Sequence, residues 1–368
     1  MTTSWSVFKN KITQCLCPPG NGVFTVNTAK ERKEQLHKTL FGQSNNIDTL
    51  WQTSIDSLPD SGKAVLLGIA SDCGGGILRG ANWGPLFVRS TLLQQYPQLT
   101  VFDMGDIRVI PHLLHDKYLN EATIANCRKA LYQNSNSEFA VSPLTITEDV
   151  LHDFYAQFPD KGIFGIGGDH SVSYPLTKAY LQAKKQQGIR AAIVHFDAHT
   201  DLLVERLGID LCFGSWCTHI LDDLTDHKDL IQVGIRSSGK PKSHWEDTFG
   251  VRQHWAHEVK EQGVNVIIEK IITQLKADNI DEVYVSFDID ALDETYAAAT
   301  GTPEPDGLSP DEAMQILRAV AAQCPITGAD MMEIAPFTDS TGLGKVNRDK
   351  TLAAGAEISA FLIEEINK

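Results

Sequence analysis

From Lys63 onward, short apolar segments alternate along the chain with longer amphipathic ones. The short segments are apolar at successive positions rather than at every second position, which is typical of strands covered on both faces of a sheet. They predict strands at Ala64–Ala70, Thr100–Asp103, Gly162–Ile166, Ala191–Phe196, Leu230–Ile235, Glu282–Phe287 and Ile326–Glu333.

The longer segments repeat their apolar residues at the spacing of amphipathic helices. Ser309 precedes Pro310 and is followed three positions later by Glu312, a combination that marks a helix start. The alternation of strands and helices predicts an α/β fold with a parallel sheet that helices cover on both faces. The predicted helices are Pro85–Gln95, Thr147–Phe158, Val172–Gln187, Val264–Lys276, Ser309–Gln323 and Leu352–Ile366.

The first part of the chain has a different pattern. It mixes polar residues with Pro18-Pro19-Gly20 and contains one short helical candidate, Thr28–Phe41. We interpret residues 1–62 as an N-terminal extension and candidate oligomer contact, and residues 63–368 as the catalytic domain.

Charge and cysteine content narrow the class of protein. With 32 Lys+Arg and 47 Asp+Glu, the net charge of −15 disfavours nucleic acid and anionic membranes and favours small cations or metal ions. The seven cysteines lack the paired spacing of a zinc site, which is typical of reduced thiols in the cytoplasm. Neither a signal peptide nor a membrane-spanning apolar run is recognisable, so we predict a soluble, cytoplasmic protein.

Carboxylates and imidazoles follow three of the predicted strands. Ligands of open parallel sheets bind beyond the carboxyl ends of the strands, so these side chains are expected to meet at one edge. The three segments are Gly167-Gly168-Asp169-His170-Ser171, Asp197-Ala198-His199-Thr200-Asp201 and Asp288-Ile289-Asp290.

The spacing within these segments points to metal ions. Alternate residues of extended chain point the same way, so Asp197, His199 and Asp201 face one point, as do Asp288 and Asp290. Without cations, such a cluster would suffer like-charge repulsion and loss of hydration. Two divalent ions would balance four aspartates, and the oxygen-rich donor set favours manganese, with nickel, cobalt, iron or zinc as alternatives.

In this order, the three segments resemble the signatures of the ureohydrolase (arginase/agmatinase) family. The resemblance runs from about Lys63 to the C-terminus and includes Asp72, Arg79-Gly80-Ala81, Arg89, Gly301-Thr302-Pro303-Glu304-Pro305 and Asp330-Met331-Met332-Glu333-Ile334-Ala335-Pro336. It implies a three-layer α/β/α sandwich around a mostly parallel eight-stranded sheet. It also implies homo-oligomers, either trimers or hexamers.

The resemblance further implies a centre of two manganese ions and a hydrolase that cleaves a guanidino C–N bond and releases urea. Glu333 would bind the substrate guanidinium, and Asp201 would take a proton from the attacking water and pass it to the departing amine. One ion would be held by His170, Asp197, Asp201 and Asp288, and the other by Asp197, His199, Asp288 and Asp290.

The segment after Asp201 departs from the family pattern. Phe213 stands where arginases and agmatinases have a histidine that assists proton transfer. Leu203 and Ile209 stand where arginases bind the α-amino-acid head of their substrate. We therefore predict a guanidino substrate other than L-arginine, such as agmatine, a guanidino acid, an alkylguanidine or guanidine. Leu203, Phe213 and Trp216 either line the substrate site or pack a reshaped loop away from it.

Further alternatives remain open at this point. Formimidoylglutamate hydrolase is a related reaction on a related fold, and the loss of the histidine also fits a catalytically weakened subunit. Asp306 stands where glycine is more common, either as a turn residue or as a contact for a second cationic group.

Overall fold

The computed structural model describes residues 4–23, 27–76, 78–338 and 344–368. Within these ranges its strands are β1 (Leu16–Cys17), β2 (Ala64–Gly68), β3 (Phe102–Ile107), β4 (Gly162–Ile166), β5 (Ala191–Phe196), β6 (Leu230–Val233), β7 (Arg252–His254), β8 (Glu282–Asp288) and β9 (Ile326–Met332). They form one sheet in the order β1-β3-β2-β4-β9-β8-β5-β6-β7. Every neighbouring pair is parallel except β1 and β3. The expected eight parallel strands are thus confirmed, and β1 adds a short antiparallel edge.

Helices cover both faces of the sheet. Successive residues of β2 show the layering, because Ala64 and Leu66 pack into one apolar cluster while Val65 and Leu67 pack into the other. None of the helices described is long and apolar enough to cross a bilayer. They are α1 (Trp5–Cys15), α2 (Lys30–Phe41), α3 (Ile47–Ile55), α4 (Gly84–Gln95), α5 (Glu121–Tyr132), α6 (Pro143–Gln157), α7 (Ser173–Gln186), α8 (Lys242–Phe249), α9 (Ala256–Gln262), α10 (Val264–Ala277), α11 (Pro310–Gln323) and α12 (Lys345–Ile366). Helices α4, α10, α11 and α12 contribute to the first cluster, and α1, α3, α6 and α7 to the second.

The predicted strands are all present, with some changed bounds. β4 and β5 have the predicted limits, whereas β3 continues to Ile107 because Arg89 neutralises the aspartates that interrupt its apolar pattern. The helix start at Ser309 is confirmed: the Ser309 hydroxyl accepts from the Glu312 N–H, and Glu312 accepts from the Ser309 N–H. The short or polar elements β1, β7, α1, α3, α5, α8 and α9 were not predicted.

The described part of residues 1–62 packs against its own chain. Phe8 of α1 contacts the rings of Phe154 and Phe158 at the end of α6. The buried Trp51 of α3 donates its indole N–H to the Met104 carbonyl on β3 (3.0 Å). These contacts extend the core beyond the sheet edge, and a role of this segment in oligomer formation stays a prediction.

A buried cation stabilises the same edge. The Arg89 side chain is inaccessible to solvent, with Nε 2.7 Å from Asp103 and Nη1 2.8 Å from Asp106. Asp106 also accepts from the backbone N–H groups of Gly20 and Gly22. Arg89 therefore connects α4, β3 and the N-terminal segment through charge as well as packing.

We expect Arg89→Leu to destabilise the protein by about 3–5 kcal/mol, because the buried Asp106 and the largely buried Asp103 would lose their shared cation. The measurement is the midpoint of urea unfolding. A matched control is Lys185→Ala, an exposed lysine of α7, which should change stability by no more than about 0.5 kcal/mol. A wild-type midpoint for Arg89→Leu would contradict the assigned role.

Candidate metal centre

Four neighbouring strands bring the predicted site residues to one edge of the sheet. β4, β9, β8 and β5 lie side by side and parallel, so their carboxyl ends meet. His170 lies in the turn after β4, residues 197–201 follow β5, Asp288 ends β8, and Glu333 directly follows β9. The convergence expected from the sequence is present.

His170 and three aspartates form a first cluster. Nδ1 of His170 lies 3.1 Å from a carboxylate oxygen of each of Asp197, Asp201 and Asp288. All four side chains are at most 3% exposed. Among the described residues, His170 Nδ1 has no hydrogen-bond partner. The nitrogen is thus surrounded by acceptors without being bonded to any of them.

His199 and two aspartates form a second cluster beside the first. Nδ1 of His199 lies 3.3 Å from Oδ1 of Asp197 and 3.3 Å from Oδ2 of Asp290. Asp197 belongs to both clusters, because its Oδ2 faces His170. The Thr302 hydroxyl donates to Asp290 Oδ2 (2.8 Å). Since His199 is 24% exposed, the centre is open on this side.

This donor set fits divalent cations. Two ligand atoms at right angles around an ion about 2.2 Å away lie about 3.1 Å apart, which is the spacing around His170. Burial raises the pKa of Asp288 well above its usual range, and the charges of Asp290 and Asp197 raise it further. Cations would allow these carboxylates to stay ionised and would occupy the lone pair of the unbonded His170 nitrogen.

Side chains of the strands hold the His170 ring from behind. Nε2 of His170 lies 3.1 Å from the Ser286 hydroxyl, which donates to Asp330 (2.9 Å). Asp330 also accepts from the hydroxyls of Tyr284 and Ser173. Because Ser286 uses its proton on Asp330, it accepts from His170, which places the ring proton on Nε2. The lone pair of Nδ1 then points to the carboxylates, as a metal ligand requires.

His195 belongs to the site but was not among the predicted residues. Its Nε2 lies 2.9 Å from Asp197 Oδ2, and its Nδ1 accepts from the Gln232 amide (2.9 Å). The bond from Gln232 leaves the proton of His195 on Nε2, where it is donated to Asp197. The sequence spacing could have predicted this contact, since His195 precedes Asp197 by two positions and therefore shares its face of β5.

Glu333 is a buried carboxylate held in an unusual backbone conformation. Its φ of 61° lies in the left-handed region, and its N–H donates to the Gly168 carbonyl (2.9 Å). Its Oε1 accepts from the His170 N–H (2.8 Å). Burial raises the pKa of Glu333 well above its usual range, with the charges of Asp288 and Asp169 adding to the effect. No lysine or arginine in the described ranges forms an ion pair with it.

Comparison with known proteins identifies the family. Residues 62–363 match the model of the Arginase family. The chain belongs to the arginase family. The family and the hydrolase class predicted from the sequence, an enzyme acting on amidino C–N bonds, are thereby confirmed.

Individual members of the arginase family cover most of the chain. It is 31% identical over 309 residues to the mitochondrial agmatinase of Gallus gallus, covering 79% of this chain and 78% of that protein. It is 28% identical over 310 residues to the mitochondrial guanidino acid hydrolase of Homo sapiens, covering 80% and 77%. The solved structure of proclavaminate amidino hydrolase from Streptomyces clavuligerus matches with a TM-score of 0.61 and 27% identity, covering 83% of this chain and 92% of that one.

The loop after β5 separates the predicted substrate-binding residues. Phe213 packs against Gly76, with a ring carbon 3.5 Å from the position that a Cβ on Gly76 would take. The Arg206 guanidinium lies 5.0 Å from the Phe213 ring centroid. Phe213 and Ile209 both line a cavity of about 460 Å³ beside the 73–76 segment, and Leu203 is 38% exposed.

Trp216 occupies a different position from these three residues. Its side chain is inaccessible to solvent, and its indole N–H donates to Asp201 Oδ2 (2.8 Å). The structure thus places Trp216 behind Asp201, in contact with a candidate metal ligand, and of the two alternatives for this residue the contact favours packing of the loop over lining of the substrate site. The sequence reveals nothing of this contact because the two residues belong to different turns of one irregular loop.

The loop that follows β8 contributes Glu304 rather than Asp306 to the site. Asp306 has a φ of 65°, the left-handed conformation that explains why glycine is common there, and its exposed carboxylate lies 3.3 Å from Lys260. Glu304 accepts from the Ser237 hydroxyl (2.8 Å) and lies 3.5 Å from Nε2 of His199. Asp306 is thus a turn residue, and Glu304 faces the open side of the metal centre.

We expect a fully loaded preparation to contain about two divalent ions per chain, because one ion would leave four aspartates undercompensated. Elemental analysis after gel filtration measures this content. Asp288→Ala should lose both ions or nearly all activity, while the exposed Asp222→Ala should lose neither. An active wild-type preparation with one ion or none would contradict the assignment.

Proposed function

We propose that this arginase-family enzyme hydrolyses a small guanidino compound other than L-arginine. Water replaces the amine on the guanidino carbon, so the products are urea and an amine, or urea and ammonia if the substrate is guanidine. Its relatives named a guanidino acid hydrolase and an agmatinase support a guanidino substrate.

Glu333 is the observation that carries this proposal. It is a buried carboxylate beside the metal centre, and its surroundings disfavour the ionised form of the side chain. Among the described residues it nevertheless lacks a cationic partner. A guanidinium group would supply the missing charge and could donate paired hydrogen bonds to the carboxylate. Bound in this way, its central carbon would be fixed next to the two clusters.

The remaining steps are the activation of water and the transfer of a proton, and residues of the chain would contribute to both. Divalent ions bound at the two clusters would supply the activation of water for attack on the guanidino carbon. Asp201 would take a proton from this water and pass it to the departing amine. Because Oδ2 of Asp201 already accepts from Trp216, the transfer would use Oδ1.

The loop after β5 argues against L-arginine as substrate. The side chains of Leu203 and Ile209 are apolar and partly exposed, at 38% and 39%. Neither can form hydrogen bonds with an α-ammonium or α-carboxylate group, and unpaired charged groups bind poorly in a partly desolvated site. We therefore expect arginine to bind poorly because its α-ammonium and α-carboxylate groups lack hydrogen-bond partners, and not because the site is too small for it.

Three finer assignments belong to the same proposal. The oxygen-rich donors favour Mn²⁺, with Ni²⁺ as the alternative. We also propose a cytoplasmic location and a homo-oligomer, either a trimer or a hexamer. Metal analysis of protein from its own source, fractionation of its cells and light scattering test these assignments separately.

Glu333→Gln should retain both ions but lower kcat/KM at least about tenfold, because the amide keeps the shape of the side chain and loses its charge. Steady-state kinetics and metal analysis of the same preparation test this. The exposed Glu261→Gln serves as the control for the chemical change itself. An unchanged kcat/KM would show that Glu333 does not bind the guanidinium group.

We further expect the best guanidino substrate without an α-amino-acid head to exceed L-arginine at least about a hundredfold in kcat/KM, since a site lacking polar partners discriminates strongly against a charged head. The panel consists of arginine, agmatine, guanidinobutyrate, methylguanidine and guanidine, with urea release measured. Formimidoylglutamate is added with formamide detection. Arginine as the best substrate would overturn this interpretation of the loop, and formamide release alone would favour the formimidoylglutamate hydrolase alternative.

A further inference from the structure

We propose that Trp216 is a positioning residue for the metal centre, and that its indole N–H sets the affinity of the ion bound beside His170 and Asp201. The inference rests on the proposed metal ligands but not on the identity of the substrate. Trp216 belongs to the loop after β5, where the sequence differs from the family pattern. The family resemblance assigns no role to this residue.

The hydrogen bond between Trp216 and Asp201 is direct and buried. The indole nitrogen lies 2.8 Å from Oδ2 of Asp201, and this same oxygen lies 3.1 Å from Nδ1 of His170. Trp216 is inaccessible to solvent and Asp201 is buried, so water has little access to replace the bond. The donor therefore acts on the very oxygen that faces the first cluster.

Asp201 needs such a restraint. Its backbone φ of 49° lies in the left-handed region, which an aspartate tolerates but does not favour. The residue also begins an irregular loop, where regular strand pairing no longer fixes the direction of a side chain. A bond from a buried donor limits the carboxylate to the orientation that faces His170, and such support of a ligand raises metal affinity.

Trp216 is itself held in place by its loop. The Ser215 hydroxyl accepts from the Cys212 N–H (2.9 Å) and donates to the Asp210 carbonyl (2.6 Å), which closes the turn before Trp216. The indole then packs against two imidazoles, with its centroid 5.1 Å from that of His170 and 5.1 Å from that of His195. Trp216 thus contacts one candidate ligand by a hydrogen bond and a second by its ring.

A purely structural role for Trp216 makes a different prediction from a positioning role. If the indole only fills space, phenylalanine should preserve the centre apart from a general loss of stability. If the N–H positions Asp201, phenylalanine should weaken one ion and leave the other, because the second cluster of Asp197, His199 and Asp290 has its own restraint from Thr302.

The test compares Trp216→Phe with Trp51→Phe. Trp51 is equally buried and also loses an indole hydrogen bond, to the Met104 carbonyl, but it lies by the β3 edge of the sheet, away from the metal centre. Metal-free protein is titrated with Mn²⁺ by calorimetry, and the bound ions are counted after dialysis against buffered Mn²⁺. Thermal melting with and without Mn²⁺ shows whether each variant folds and how much the metal stabilises it.

We expect Trp216→Phe to bind one of two ions about 10- to 100-fold more weakly and to gain less thermal stability from Mn²⁺ than the wild type. Trp51→Phe should melt at a lower temperature but bind both ions with wild-type affinity. The inference would be overturned if Trp216→Phe bound both ions with wild-type affinity. It would also be overturned if Trp216→Phe and Trp51→Phe lost the same amount of Mn²⁺ affinity. If the wild type binds two ions but releases urea from no compound of the panel, the proposed function fails while this result still stands.

Discussion

Like-charge repulsion at one edge of the sheet is the constraint on which the rest of the site depends. Asp197, Asp201, Asp288 and Asp290 are all nearly inaccessible to solvent, and the pKa of Asp288 is raised by burial and by its neighbours. A protein can keep such a cluster ionised only with cations, or neutralise it with protons. The position of His170, with Nδ1 within 3.1 Å of three carboxylates and no hydrogen-bond partner there among the described residues, fits the first solution.

The sheet makes this arrangement possible because its strands supply two successive shells of side chains. The last residues of β4, β5 and β8 and the turns beyond them carry the candidate ligands. Two positions earlier on β5 and β8, His195 and Ser286 hold candidate ligands through hydrogen bonds inside the core. The period of two along a strand explains both sets, since residues two positions apart share one face and the earlier one lies directly beneath the later one. Restraint of the ligands is thus part of the same strands that deliver them.

Much of the fold and of the candidate site could be predicted from the sequence. The features that could not be predicted were missed for identifiable physical reasons. Continuous apolar runs predicted the central strands, and the Asp-x-His-x-Asp and Asp-x-Asp spacings predicted which residues meet. β3 and β7 were harder, because Asp103 and Asp106 are neutralised by a distant Arg89 and Arg252–His254 is a polar edge strand. The bond between Trp216 and Asp201 lies beyond sequence patterns altogether, since an irregular loop has no period from which a contact can be inferred.

The division between strand ends and loops also explains how one centre can serve different substrates. In the proposed function, the candidate ligands and Glu333 would act on the guanidinium group, which every substrate of the proposed class shares, and they lie at or just beyond the ends of the strands. The remainder of a substrate would meet the loop after β5, where Leu203, Ile209 and Phe213 face solvent or a cavity rather than the ligands. Changes at these positions can alter selectivity without disturbing the charge balance of the centre. Trp216 is the exception in this loop, because it alone among these residues contacts a candidate ligand, and a change there would act on the metal centre itself.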